Sequence, residues 1–171
     1  MRKGEALGLP WNAVDLEQGT LKVEAALRLV GKLQIDPPKS GQSRRQLILP
    51  LPALRALKDE RDRQAMQRRR AGSDWEEWGL VFTRPMGKPL NQRDVSRDFK
   101  RILKAAGLPD MRFHDLRHSC ASLLHAEGVS DRTIMEILGH SNITVTMNTY
   151  THVASELQRD AAKRMEAAIG R

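Results

Sequence analysis

The sequence predicts an α+β fold, mostly α, with a small three-stranded antiparallel sheet on one side. Three observations carry that expectation. After residue 51, apolar residues recur at helical spacing in stretch after stretch, and the stretches stop at Gly72, Gly107, Gly128 and Gly139. Before it, short apolar runs flank the turn cluster "PPKSGQS", the pattern of strands joined by tight connections. The length of 171 residues suits one domain, read here as residues 1–171.

Taken in order, "RKGEALGL" contains good helix formers and reads as a helix from residue 2. "LPWNAVDLEQGT" is a loop. Residues 20–29, 33–38 and 44–49 read as the three strands. "PALRALKDERDRQAMQRRRAG" is a helix with Pro52 near its start and Gly72 beyond its end. Leu54, Leu57, Ala65 and Met66 form its expected buried stripe, and Arg68, Arg69 and Arg70 suit its C-terminal dipole. "DWEEWGLVFT" should end in a short apolar strand, with Trp75 and Trp78 as packing residues. "RPMGKP" is a turn. "NQRDVSRDFKRILKAAG" is an amphipathic helix capped by Asn91, with Val95, Phe99, Ile102 and Leu103 inside. A helix over 114–127 should bury Leu116, Cys120, Leu123 and Leu124. Ser130 caps the next, "DRTIMEILG". A last helix, 154–169, carries Leu157, Ala161, Met165 and Ile169 at helical spacing.

Composition narrows the function classes. Twenty-nine Lys and Arg against 21 Asp and Glu give a net charge of +8, which points to a polyanionic partner, nucleic acid by default. Aromatic residues make up 4%, with one tyrosine, too few for single-strand binding by base stacking. No run approaches the ~18 apolar residues of a membrane span. The N-terminus lacks the apolar core of a signal peptide. The lone Cys120 fits a reducing compartment, so the expected location is cytoplasmic.

The densest polar stretch is "RFHDLRHSC", residues 112–120. His114 and His118, at i and i+4, could hold zinc, but Asp115 stands where a metalloprotease has glutamate, and the Arg117 charge opposes a dication. An anion suits the stretch better. His114 and Arg117 share a face at i, i+3 in the first turn of a helix, where free backbone N–H groups favour phosphate. A capping histidine and a surface arginine would look the same from this motif alone. Downstream, "LGHSNITVTMNTYTHV" adds His140 after a helix stop and the only tyrosine, Tyr150. A phenol has a pKa of about 10 and attacks only with a base and cations beside it.

"RKGEALGL", "PKSGQSRR", "HDLRHS" and "LGHSNITVTMNTYTHV" stand in the order seen in tyrosine recombinases, the phage-integrase family, which this chain resembles from residue 1 to about residue 155. The resemblance implies site-specific DNA recombination or integration by strand cleavage and rejoining. Tyr150 would be the nucleophile that forms a 3′-phosphotyrosyl bond. Arg2 and Arg117 would clamp the phosphate, with Glu5 supporting Arg2. His114 would accept the tyrosine proton, Lys39 would protonate the leaving oxygen, and His140 would add a hydrogen bond. No cofactor or metal is implied. The partners implied are double-stranded DNA and further copies of the chain, a tetramer on paired sites, with 154–169 docking on a neighbour or on its own domain. His118 and His125 carry no role. The family has an N-terminal core-binding domain ahead of this one, so a chain whose first arginine is residue 2 is expected to be truncated at its N-terminus. A non-catalytic DNA-binding remnant and, less favoured, a tyrosine-type topoisomerase are the alternative readings.

Overall fold

The computed structural model describes residues 1–30, 32–36 and 44–139. Lys39, His140, Tyr150 and the expected helix 154–169 lie outside the described residues. Within them the chain forms α1 (Lys3–Leu7), β1 (Val14–Asp15), β2 (Thr20–Val23), β3 (Ala26–Val30), β4 (Lys32–Asp36), β5 (Arg45–Ile48), α2 (Leu51–Ala71), α3 (Gln92–Ala105), α4 (Asp115–Ala126) and α5 (Asp131–Leu138). The mostly helical α+β class and the small antiparallel sheet are as expected.

The make-up of the sheet differs from the expectation. Its order is β1-β2-β5, antiparallel throughout, and β3 and β4 form a separate antiparallel pair. The stretch 20–29 is therefore two strands, broken at Glu24 and Ala25. The cause is α1, which lies on β3 so closely that only glycine fits. A Cβ on Gly8 would stand 2.4 Å from the Leu27 nitrogen, and one on Gly4 3.1 Å from the Leu27 carbonyl oxygen. β3 follows α1 and leaves β5 to β2.

Helix phases also depart from the apolar pattern. On α2, Leu57 is buried, but Ala65 and Met66 are exposed. The inward face runs through Gln64 instead. Its Oε1 accepts from Trp11 Nε1 at 2.7 Å, and its Nε2 donates to the Leu80 carbonyl and to Thr83 Oγ1. A fully bonded glutamine can occupy a buried stripe that hydrophobicity alone would assign elsewhere. Leu80 and Val81 are buried, but the expected strand is reduced to two isolated bridges, Leu80 with Pro10 and Thr83 with Pro89. Trp75 is half-buried over Gly87, whereas Trp78 is exposed.

Asn91 caps α3 by accepting from the Arg93 nitrogen at 2.8 Å. Leu103 is buried and Val95 and Phe99 half-buried, while Ile102 faces outward. The start of α3 is moored to α1 and β3. Lys3 Nζ donates to Ser96 Oγ at 2.9 Å, and Gln92 Nε2 donates to the Leu27 carbonyl at 2.7 Å. Ser130 caps α5 by accepting from the Thr133 nitrogen.

On α4 the expected inward face is largely the outward one. Leu116, Cys120 and Leu123 are exposed, and Arg117 and Ala121 are buried. Ala121, with Leu124, packs against Ile134 and Leu138 of α5. That phase carries Arg117 inward, where a burial cost of several kcal/mol for a lone charge has to be offset by partners. A second apolar cluster joins Leu9, Leu21 and Val23 to Leu57 and Val81, with Leu47 of β5 packed on it. The site described next draws residues from elements of both clusters.

Candidate active site

The centre of the site is a buried carboxylate. Glu5, at the third position of α1, turns back so that its Oε2 accepts from the Arg2 backbone nitrogen at 2.7 Å, half of a capping box. Its Oε1 accepts from Arg2 Nη1 at 2.8 Å, and Oε2 also accepts from Arg45 Nη2 at 2.9 Å. The side chain of Glu5 is 3% exposed. Burial alone would raise its carboxyl pKa. The hydrogen bonds from Arg45 and Arg2 outweigh that and bring it down to about 2.

Three arginines meet the end of α5 in consecutive steps. Arg45 Nε donates to the Ile137 carbonyl at 2.8 Å, Arg117 Nη2 donates to the Leu138 carbonyl, and Arg2 Nη2 donates to the Gly139 carbonyl at 3.0 Å. These carbonyls lie at the C-terminal, negative end of the α5 dipole, where C=O groups lack intrahelical N–H donors, so cations belong there. Segments far apart in sequence, at residues 2–5, 45, 117 and 137–139, are thereby tied into one cluster. Arg117 is buried, and desolvation, then the charge of Arg2, lowers its pKa to about 10. It remains protonated at neutral pH.

His114 precedes α4 and its carbonyl accepts from the Arg117 nitrogen at 3.0 Å. Its ring meets the His118 ring edge-on at 5.3 Å. Desolvation, then the neighbouring His118 and Arg117 charges, lower its pKa below the ordinary value, which favours the neutral imidazole at pH 7. His125 pairs with Asp131 at 3.1 Å, away from these contacts. Among the described residues no three His, Cys, Asp or Glu side chains group as a metal ion would require.

Of the residues singled out from sequence, Arg2, Glu5 and Arg117 come together, and His114 adjoins Arg117. Arg45 was missed. It stands in "SRRQLIL", where strand alternation places it on the same side as Leu47 and Leu49, both packed against the core. A charged residue in register with leucines was the available signal.

Two tests follow from these contacts. Glu5→Gln should lower stability by about 3 kcal/mol at pH 7, because it removes the negative charge that two guanidinium groups share and turns one of their two acceptor oxygens into a donor. A carboxyl held down to about 2 contributes stability above its unfolded value near 4.5, and that stability is lost as pH falls between the two. Urea titrations should therefore show the gap between the two proteins closing from pH 4.5 toward pH 2. Gly139→Ala should cost about 1–2 kcal/mol. Gly139 has φ 67°, and a Cβ there would stand 2.7 Å from Arg45 Nη1.

Among proteins of known family, the chain matches the profile of the Phage integrase family over residues 1–156. It belongs to that family. A tyrosine recombinase XerC-like protein of Caldanaerobacter subterraneus subsp. tengcongensis is 34% identical over 96% of this chain and 46% of its own length. The tyrosine recombinase XerC of Mesorhizobium japonicum is 36% identical over 90% of this chain and 43% of its own. This phage integrase relative thus spans less than half the length of either. Among solved structures, the Tn1549 transposon integrase in complex with transposon right end DNA superposes with a TM-score of 0.80 at 23% identity, covering 96% of this chain and 54% of that one. That likeness is one of fold. The XerH recombinase bound to difH superposes with a TM-score of 0.64 at 26% identity, over 93% and 41%. Among the described residues no helix is long and apolar enough to cross a membrane.

Proposed function

We propose that this chain carries out site-specific recombination or integration by cutting and rejoining double-stranded DNA, in the cytoplasm and as a tetramer on paired sites. The observation that carries the reading is the meeting of Arg2 and Arg117 at the end of α5, beside His114 and directly before the segment that bears His140 and Tyr150. The Tyr150 oxygen attacks the phosphorus of a phosphodiester and the 5′-oxygen leaves. The product is a 3′-phosphotyrosyl bond that keeps the bond energy for rejoining, so neither ATP nor metal is needed. His114, held neutral, takes the phenolic proton, a step worth ~10²–10⁴ in rate. Lys39 gives a proton to the leaving 5′-oxygen. Arg2 and Arg117 hold the non-bridging oxygens as charge grows on them, and His140 adds a hydrogen bond.

Helix α3 offers a basic face to which DNA could dock. Arg93, Arg97, Lys100, Arg101 and Lys104 are all exposed on α3. Ion pairs such as Arg97 with Asp94 and Arg101 with Asp98 are solvent-exposed and worth little, so phosphates can replace them.

The test is covalent trapping. The chain is incubated in EDTA with a pool of nicked duplexes of randomised sequence, then denatured in detergent. A protein–DNA band that survives both supports the proposal. DNA that shifts in a native gel while a folded sample yields no such band would favour a binding remnant.

A further inference from the structure

Arg45 is the one member of the arginine cluster that the reading above leaves without a task. Its side chain is 7% exposed against 42% for Arg2, so it is poorly placed to meet a phosphate from solvent. It is instead fixed at two points on different elements. Nη2 holds Glu5 Oε2 at 2.9 Å, and Nε holds the Ile137 carbonyl at 2.8 Å. Its guanidinium also lies against Gly139, close enough that a Cβ there would come within 3.1 Å of Cζ. One planar fork thus joins the carboxylate that orients Arg2 to the helix end that Arg2 and Arg117 both grip.

We propose that Arg45 is a positioning residue for strand cleavage: it locks Glu5 to the Ile137 carbonyl at the C-terminal end of α5, and so sets the spacing at which Arg2 and Arg117 present themselves to one phosphate. The proposal rests on the strand-cleaving reading above. The physical need is plain. Arg2 is partly exposed and has many rotamers, and a clamp that is loose by about 1 Å can forfeit ~10²-fold in rate. Burial of Arg45 on the core side of β5 removes that freedom without placing another side chain in the path of DNA. Arg45 also donates a hydrogen bond that keeps Glu5 ionised, and an ionised Glu5 is what holds Arg2 by its side chain and its backbone nitrogen together.

The test compares Arg45→Lys and Arg45→Gln in the 171-residue chain, using nicked duplexes recovered from the pool as covalent adducts of the unaltered protein. Lysine keeps the charge, but its single ammonium cannot reproduce the two-point fork. Arg45→Lys should fold by circular dichroism and bind those duplexes within ~2-fold, yet form adduct at least ~10-fold more slowly. Arg45→Gln should be slower still. In urea titrations of that variant, the stability lost on acidification should be lost at higher pH than in the unaltered chain, as Glu5 loses a partner. An Arg45→Lys variant that cleaves at the unaltered rate, or a rate loss that follows duplex affinity, would overturn the positioning role while leaving the strand-cleaving reading intact. Absence of adduct from the unaltered chain would instead remove that reading itself.

Discussion

Tyr150→Phe should abolish covalent capture of DNA, lowering adduct formation by at least ~10⁴-fold while leaving duplex binding within ~2-fold. The substitution removes one oxygen and keeps the ring, so the proposed nucleophile is lost with little change in side-chain volume. The size of the effect follows from the chemistry. With a pKa of about 10, a tyrosine phenol is almost wholly protonated at neutral pH and attacks only where a base and cations meet it. The chain gathers such groups at the end of α5, just ahead of Tyr150 in the sequence. Arg2 is bonded to the Gly139 carbonyl and Arg117 to that of Leu138, while the pKa of His114 lies below its ordinary value. No other side chain is expected to take over the attack. Gel shift and detergent gels on the same duplexes separate the two readouts.

Arg117→Ala should lower the single-turnover cleavage rate by ~10²–10³-fold, the typical loss when one donor to a developing oxyanion is removed, or about 3–4 kcal/mol. Part of any effect will be structural, because alanine deletes the donor to the Leu138 carbonyl and leaves space beside Ala121 and Leu138. Arg117→Lys divides the two contributions. It keeps a cation in the same pocket and should recover much of the stability, but a point charge cannot fork across two oxygens, so cleavage should stay at least ~10-fold slow. Thermal melting measured beside the rates makes the division. If both variants melted as the unaltered chain does and cleaved at its rate, Arg117 would be a structural residue only.

Much of this was legible in the sequence, for identifiable reasons. Caps and stops depend on neighbours along the chain, so Asn91, Ser130 and Pro52 marked their helices well. His114 and Arg117 stand at i, i+3 spacing in one short motif, and Arg2 and Glu5 are reached through the resemblance of the ordered motifs to a known family. What could not be read was set by contacts between distant segments. The strand over 20–29 breaks because α1 packs on β3 through Gly4 and Gly8. Helix α4 turns Arg117 inward and Leu116, Cys120 and Leu123 outward because Glu5 and the end of α5 can receive a charge, and a periodicity count treats every arginine as a surface residue. Arg45 escaped for the same reason. Its partners, Glu5 and Ile137, are remote in sequence, and only strand alternation with Leu47 hinted at its burial.

The strand-cleaving account reduces to one bond, between the Tyr150 oxygen and a DNA phosphorus. Mass spectrometry of the trapped adduct after trypsin and nuclease digestion reads that bond directly. The account predicts a single modified peptide, the one that contains Tyr150, carrying a nucleotide through its 3′-phosphate on the tyrosine oxygen. A nucleotide carried instead by a serine, threonine or histidine of the chain, or linked through a 5′-phosphate, would contradict it.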